Sequence, residues 1–154
     1  MPGKTDYYDH HSLDITDSRD VEKVIAEGGY THIVNAAAYT AVDRAEDEKS
    51  LCTAVNVDGV KNLANAAAST GARLVHISTD YVFDGIRGYA YGEADKPNPL
   101  SHYGASKRKG EMALLGLLPD SVIVRTGWLF SPFGKNFVKT IYRKSLNGDM
   151  LRVV

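Results

Sequence analysis

Residues 72–85 read ARLVHISTDYVFDG, an apolar run that passes without a break into a hydroxyl, a carboxylate and a phenol. The first half has the length and the β-branched content of a buried strand. The second half turns polar where that strand should end, and Tyr103 and Lys107 stand a short distance downstream. Two readings are open: a loop that merely caps a strand, or a site that holds a carbonyl while a proton and a hydride reach it.

Working outward, apolar runs alternate with longer amphipathic segments. Thr16-Asp17-Ser18 predicts a helix start, Val21, Val24 and Ile25 its apolar side, and Gly28-Gly29 its stop. Residues 32–36 read as a buried strand, followed by the alanine-rich turn AAAYTAVDRAEDEKS, whose second half reads as a short helix. In residues 51–69, Leu51, Val55, Leu63 and Ala67 recur near a helical period, with Gly71 as terminator. Residues 73–77 predict a strand, 103–117 a long helix, 121–125 a strand and 136–146 a helix, while GDMLRVV at 148–154 resembles the first half of another strand.

Strands joined by helix-length connections predict an α/β fold with a parallel sheet covered on both faces. Such a sheet carries its ligand at the carboxyl ends of its strands. That rule lines up Ala36-Ala37-Ala38, Ser78-Thr79-Asp80 and Thr126-Gly127-Trp128 along one rim. Residues 84–102, rich in Gly and Pro and without periodicity, form a long excursion beside it, and long irregular segments in compact domains are often functional. One domain over residues 1–154 is expected, reading as the middle of a larger one: Gly3 is isolated, Gly28-Gly29 follows a helix, and no glycine-rich phosphate turn occurs.

Composition narrows the function classes. With 18 basic against 19 acidic residues, the chain has no broad positive field of the kind that nucleic-acid binding uses. Cys52 is the single cysteine, so an internal disulfide and a paired-cysteine zinc site are both excluded. A reducing, cytoplasmic compartment is expected, and no segment has the length and apolarity of a membrane span. His10-His11 reads as a solvated turn, and no metal ligands are assigned.

Tyr103 and Lys107 are four apart in a helical segment and so share a face. A phenol is a poor acid at neutral pH, and a nearby ammonium favours its ionised form, so the pair suits proton donation with Lys107 lowering the phenol pKa. Thr79, at a strand end on the same rim, offers a hydroxyl to a carbonyl oxygen or else caps the next turn. Asp80 orients a hydroxyl or forms a turn through its own backbone. Asn56, mid-helix, serves the floor of the site or bonds locally; Trp128, flanked by Phe130 and Phe133, is a stacking wall or plain core.

These residues resemble the extended short-chain dehydrogenase/reductase superfamily and, within it, the dTDP-4-dehydrorhamnose reductase family. The resemblance rests on LDIT at 13–16, VNAAAYTAVDRAE at 34–46, VNVDGVKNLA at 55–64 and the opening stretch. YGEADKPNP at 91–99, YGASKRKGE at 103–111 and VRTGWLF at 124–130 continue it. The resemblance implies a Rossmann-like NAD(P)-binding fold, incomplete at both ends, using NADPH or NADH. Thr79, Asp80, Tyr103 and Lys107 look like the catalytic group, and Lys107 also like the ligand of the nicotinamide ribose. Asp14 and Ile15 match positions beside the adenine ring; Ala37, Ala38 and Tyr39 match the cofactor wall. Thr79 and Trp128 match substrate-holding positions.

The implied reaction is reduction of the C4 ketone of dTDP-6-deoxy-L-lyxo-4-hexulose to dTDP-L-rhamnose, a nucleotide-sugar. Without a phosphate turn, these residues by themselves are expected to hold NADPH weakly. Unpaired sheet edges make association with another chain, such as a homodimer, the further expectation. Two alternatives are carried: a nucleotide-sugar epimerase or 4,6-dehydratase, which for the dehydratase places an acidic pair after the threonine where Tyr81 follows Asp80 here, and a non-catalytic structural or regulatory relative.

Overall fold

The computed structural model describes residues 4–134 and 136–147; the strand expected at 148–154 lies outside the described residues. Helix α1 runs Ser18–Gly28, capped by the Asp17 carboxylate on the Arg19 and Asp20 amides and ended by Gly29 in the left-handed region, as its sequence signals require. Strand β1 is His32–Asn35, β2 Arg73–Thr79 and β3 Val122–Thr126. They form a parallel sheet in the order β1-β2-β3. Between β1 and β2 run a 3-10 turn at Arg44–Glu46 and a nearly unbroken helix: α2 Lys49–Thr53, a π segment Ala54–Asp58, and α3 Gly59–Thr70. Helix α4, His102–Leu117, joins β2 to β3, and α5 is Phe137–Leu146. His10 and His11 lie in an exposed turn, as expected.

The prediction that helices cover both faces of the sheet is overturned. Leu13, Ile15, Val21 and Ile25 pack with Val60, Leu63, Ala64, Leu74 and Leu114 in one core, so α1, α3 and α4 share a face. The other face carries a row formed by Val34, Val75 and Val122, with Val124 beside Ile77. There Val34 is 66% and Val122 54% exposed, so among the described residues this face stands open. The cause is handedness: successive right-handed crossovers that advance in one direction deposit their helices on the same side, and only a reversal of strand order would populate the other. Among the described residues no helix is long and apolar enough to cross a membrane.

Helix α4 comes unusually close to its neighbours. A Cβ at Gly104 would lie 2.2 Å from the Tyr81 carbonyl oxygen, and one at Gly110 would lie 2.2 Å from that of Asn56. Both obstacles are backbone and cannot swing aside. This proximity brings the buried face of α4, with Tyr103, Ser106, Lys107 and Glu111, against β2 and the π segment. Gly110→Ala should therefore force α4 outward and lower the unfolding free energy by about 2 kcal/mol. Urea denaturation checks this, and an unchanged midpoint would contradict the close approach.

Candidate active site

At the carboxyl ends of the strands lies a cleft of about 270 Å³ lined by Ala36, Ala38, Thr79, Asp80, Tyr103, Lys107 and Trp128, among others. The structure thus brings together the predicted rim. Thr79 ends β2, and its hydroxyl accepts from the Tyr81 amide at 3.2 Å while donating to Asp80 Oδ1 at 3.2 Å. Thr79 thus caps the turn, one of its two sequence readings, and also lines the cleft. Tyr103 comes from the first turn of α4, where Ser101 caps the helix and Glu46 accepts from the His102 amide at 2.7 Å. Its ring packs with Ala45 and Cys52 and meets Tyr81 edge-on at 5.7 Å.

The expected depression of the Tyr103 phenol by Lys107 is not what the structure shows. Burial pushes the phenol above its ordinary value; the Thr79 hydrogen bond pulls down without prevailing, and Asp80, Cys52 and Tyr81 add to the rise. Lys107 has turned its ammonium elsewhere: only 2% exposed, it donates to the Ile77 carbonyl at 2.8 Å and lies 3.4 Å from His76 Nε2. Burial lowers its own pKa to about 8, with the Glu111 charge working the other way.

Asn56 is not among the cleft's lining residues, and its bonds run between elements rather than locally. Its Oδ1 accepts from the Tyr39 amide at 2.9 Å, and its Nδ2 donates to the Tyr39 carbonyl at 3.1 Å and to Ser106 Oγ at 3.0 Å. One side chain in the π segment so pins the loop after β1 to α4, and π segments recur at functional sites for this kind of local re-aiming. Trp128 is not core: it is 77% exposed and adopts φ 51°, the left-handed region, at the mouth of the cleft. Asp14 lies apart, lining a shallow depression with Thr16, Asp17, Ser18 and Arg19. The Ile15 side chain is buried in the core. Ala37 is exposed beside the cleft and Tyr39 is tied through its hydroxyl to Glu48 at 2.6 Å.

Two residues of this region escaped the sequence reading. Glu111 is wholly buried, and its carboxylate accepts from Arg125 at 2.9 and 2.7 Å, from Arg108 at 2.9 Å and from Ser78 Oγ at 2.6 Å. Burial alone would raise its pKa, but Arg125, Ser78 and Arg108 outweigh burial and hold it below the ordinary value. The available signal was its spacing: Tyr103, Lys107 and Glu111 fall at successive four-residue steps on one helix face. His76, inside an apolar strand, is wholly buried and reaches Asn35 Nδ2 through Nδ1 at 3.1 Å.

Both buried groups make the fold sensitive to acid. Burial and the Lys107 charge depress His76 from 6.5 to about 4, so its contribution is complete above about 6.5 and disappears as pH falls toward 4. Glu111, also depressed, contributes above its unfolded value of 4.5 and loses that contribution at more acid pH. From His76 alone, the unfolding free energy should drop by on the order of 3 kcal/mol between neutral pH and about pH 4. Urea unfolding across that range tests it, with His76→Gln expected to flatten the slope above pH 4 while leaving the steeper acid fall.

The family described as RmlD substrate binding domain matches residues 4–154. A dTDP-4-dehydrorhamnose reductase of Aggregatibacter actinomycetemcomitans is 49% identical over 146 residues, covering 95% of this chain and 50% of that protein. The reductase of the same name from Sinorhizobium fredii is 45% identical, covering 93% of this chain and 48% of the relative. Among solved structures, the dTDP-4-dehydrorhamnose reductase of Bacillus anthracis in complex with NADP superposes with a TM-score of 0.88 at 44% identity. That match covers 91% of this chain and 50% of that one, so the chain spans about half the length of its relatives. The fold is the Rossmann-like parallel sheet of those enzymes, and the chain belongs to the RmlD substrate binding domain family.

Proposed function

We propose that this chain forms the reactive part of an NAD(P)H-dependent reductase that converts the C4 ketone of dTDP-6-deoxy-L-lyxo-4-hexulose to the alcohol of dTDP-L-rhamnose. The observation that carries the proposal is the convergence of Thr79, Tyr103 and Lys107 on one cleft at the strand ends. Identity of 44–49% to reductases of that name supports the substrate. The cleft residues fit a nicotinamide: Ala36 and Ala38 keep one wall low enough for a flat ring, and Lys107 shares the lining with Tyr103.

When bound, the reduced nicotinamide supplies the hydride. Tyr103 gives its phenolic proton to the ketone oxygen, so that the carbonyl double bond becomes a C–O single bond bearing a hydroxyl. A phenol held above its ordinary pKa keeps that proton until the oxygen becomes basic during hydride arrival, which matches transfer to the moment of need. Thr79 fixes the same oxygen by turning its one hydroxyl proton from Asp80 Oδ1, where it rests at 3.2 Å, to the ketone. Lys107 would hold the ribose hydroxyls of the cofactor and, in its protonated form, would counter the phenolate left after transfer. Trp128, exposed at the mouth, gives the nucleotide-sugar an aromatic surface. Free Cys52 suits a reducing cytoplasm.

The dehydratase alternative loses ground at Tyr81. That residue packs its ring on Tyr103 at 5.7 Å and carries no acid to assist loss of water. Tyr103→Phe should lower kcat by at least about 100-fold with little change in KM for the nucleotide-sugar. Thr79→Val should cost about 3 kcal/mol in kcat/KM. NADPH oxidation followed with the 4-keto sugar nucleotide measures both, and near-normal turnover in Tyr103→Phe would defeat the assignment.

A further inference from the structure

Behind Lys107 lies a chain of buried polar groups whose hydrogen-bond directions can be worked out from one end. The Ala37 amide can only donate, and it points at Asn35 Oδ1 at 3.0 Å. That contact fixes the amide orientation, so Asn35 Nδ2, which also can only donate, faces His76 Nδ1 at 3.1 Å. His76 Nδ1 must then accept. A neutral imidazole with a bare Nδ1 carries its proton on Nε2, and Nε2 lies 3.4 Å from Lys107 Nζ.

An ammonium has three donors and no acceptor, so a protonated Lys107 opposes the His76 N–H. A neutral amine has a lone pair that can accept it, while its own N–H still reaches the Ile77 carbonyl at 2.8 Å. We propose that Asn35 and His76 are positioning residues that lock the imidazole as its Nε2–H tautomer and thereby favour the neutral amine of Lys107. The lock ties the charge of Lys107 to the loop that starts at Ala37. Other titratable groups act on Lys107 from the packed elements: Glu111 on α4 and Cys52 on α2 both favour its charged form. Glu111 is itself engaged by Arg108 and Arg125. Burial and the tautomer act together in the opposite direction.

That the charge of Lys107 matters to turnover rests on the reductase reading, but the tautomer does not, so each can fail alone. Nitrogen-15 NMR of the whole protein, with histidine labelled and the His76 signals assigned by their loss in His76→Gln, reads the tautomer directly. The expected result near neutral pH is a pyridine-like Nδ1 and a pyrrole-like Nε2; a pyrrole-like Nδ1 or an imidazolium would overturn the inference. Asn35→Asp supplies the second arm. It replaces the donor facing Nδ1 by an acceptor of nearly equal size, so the tautomer should invert and the Lys107 side-chain carbon should titrate roughly one pH unit higher. A higher Lys107 titration without tautomer inversion would mean charge alone and would also count against the lock. Loss of turnover in Tyr103→Phe, by contrast, bears only on the reductase reading.

Discussion

A lysine amine buried to 2% exposure at the end of a strand needs partners supplied by the protein, because water no longer provides them. The Ile77 carbonyl lies just past the end of the β1–β2 pairing, which stops at His76, while β2 continues beside β3 to Thr79. It is reached only because α4 lies close enough for Lys107 to extend across the helix–sheet gap. Gly104 and Gly110 permit that approach, and the Glu46 carboxylate holds the first turn of α4 in place. Tyr103, one helical turn before Lys107, is thereby carried to the lip of the cleft opposite Thr79. The position of one buried lysine and the placement of the proton donor are the same structural fact.

The strand-end turn follows the same logic from the other side. A sheet that stops leaves unpaired amides, and Thr79 takes one of them through its hydroxyl while still presenting that oxygen to the cleft. On the neighbouring loop the amide and carbonyl of Tyr39 are satisfied by the Asn56 side chain alone. The site is therefore built from the residues that settle the loose ends of the sheet, and this is why parallel sheets keep their chemistry at that edge.

What could be read from the residues reflects where the relevant physics is local. Asp17 before α1 and Gly29 after it announce a helix through capping geometry confined to a few residues. Apolar runs around Val34 and Leu74 announce strands in the same way. The open face of the sheet was not legible, because alternating burial says that a strand has neighbours but not on which side handedness will put the helices. His76 looked like one more member of a buried strand, and its partner Asn35 stands 41 positions away. Glu111 had no role in the sequence reading, because its partner Arg125 stands 14 positions on. The phenol pKa was misjudged for a related reason: helix spacing put Lys107 on the right face, but only the fold reveals that its head points toward Ile77.

The division of charge under the cleft follows from these pairings. A buried lysine one turn from a buried glutamate would ordinarily form a tight pair, which would hold the lysine protonated. Here Arg125 grips the Glu111 carboxylate with two bonds, and Arg108 and Ser78 take the remaining acceptor capacity. A fork of this kind neutralises the carboxylate more completely than a lysine could, since its planar donors match both oxygens. Glu111 is left with only a residual pull on Lys107, too weak to offset burial, and the amine settles near pH 8. The two arginines thus keep the acid in place as structure while leaving the lysine able to change its charge near the pH at which it would work.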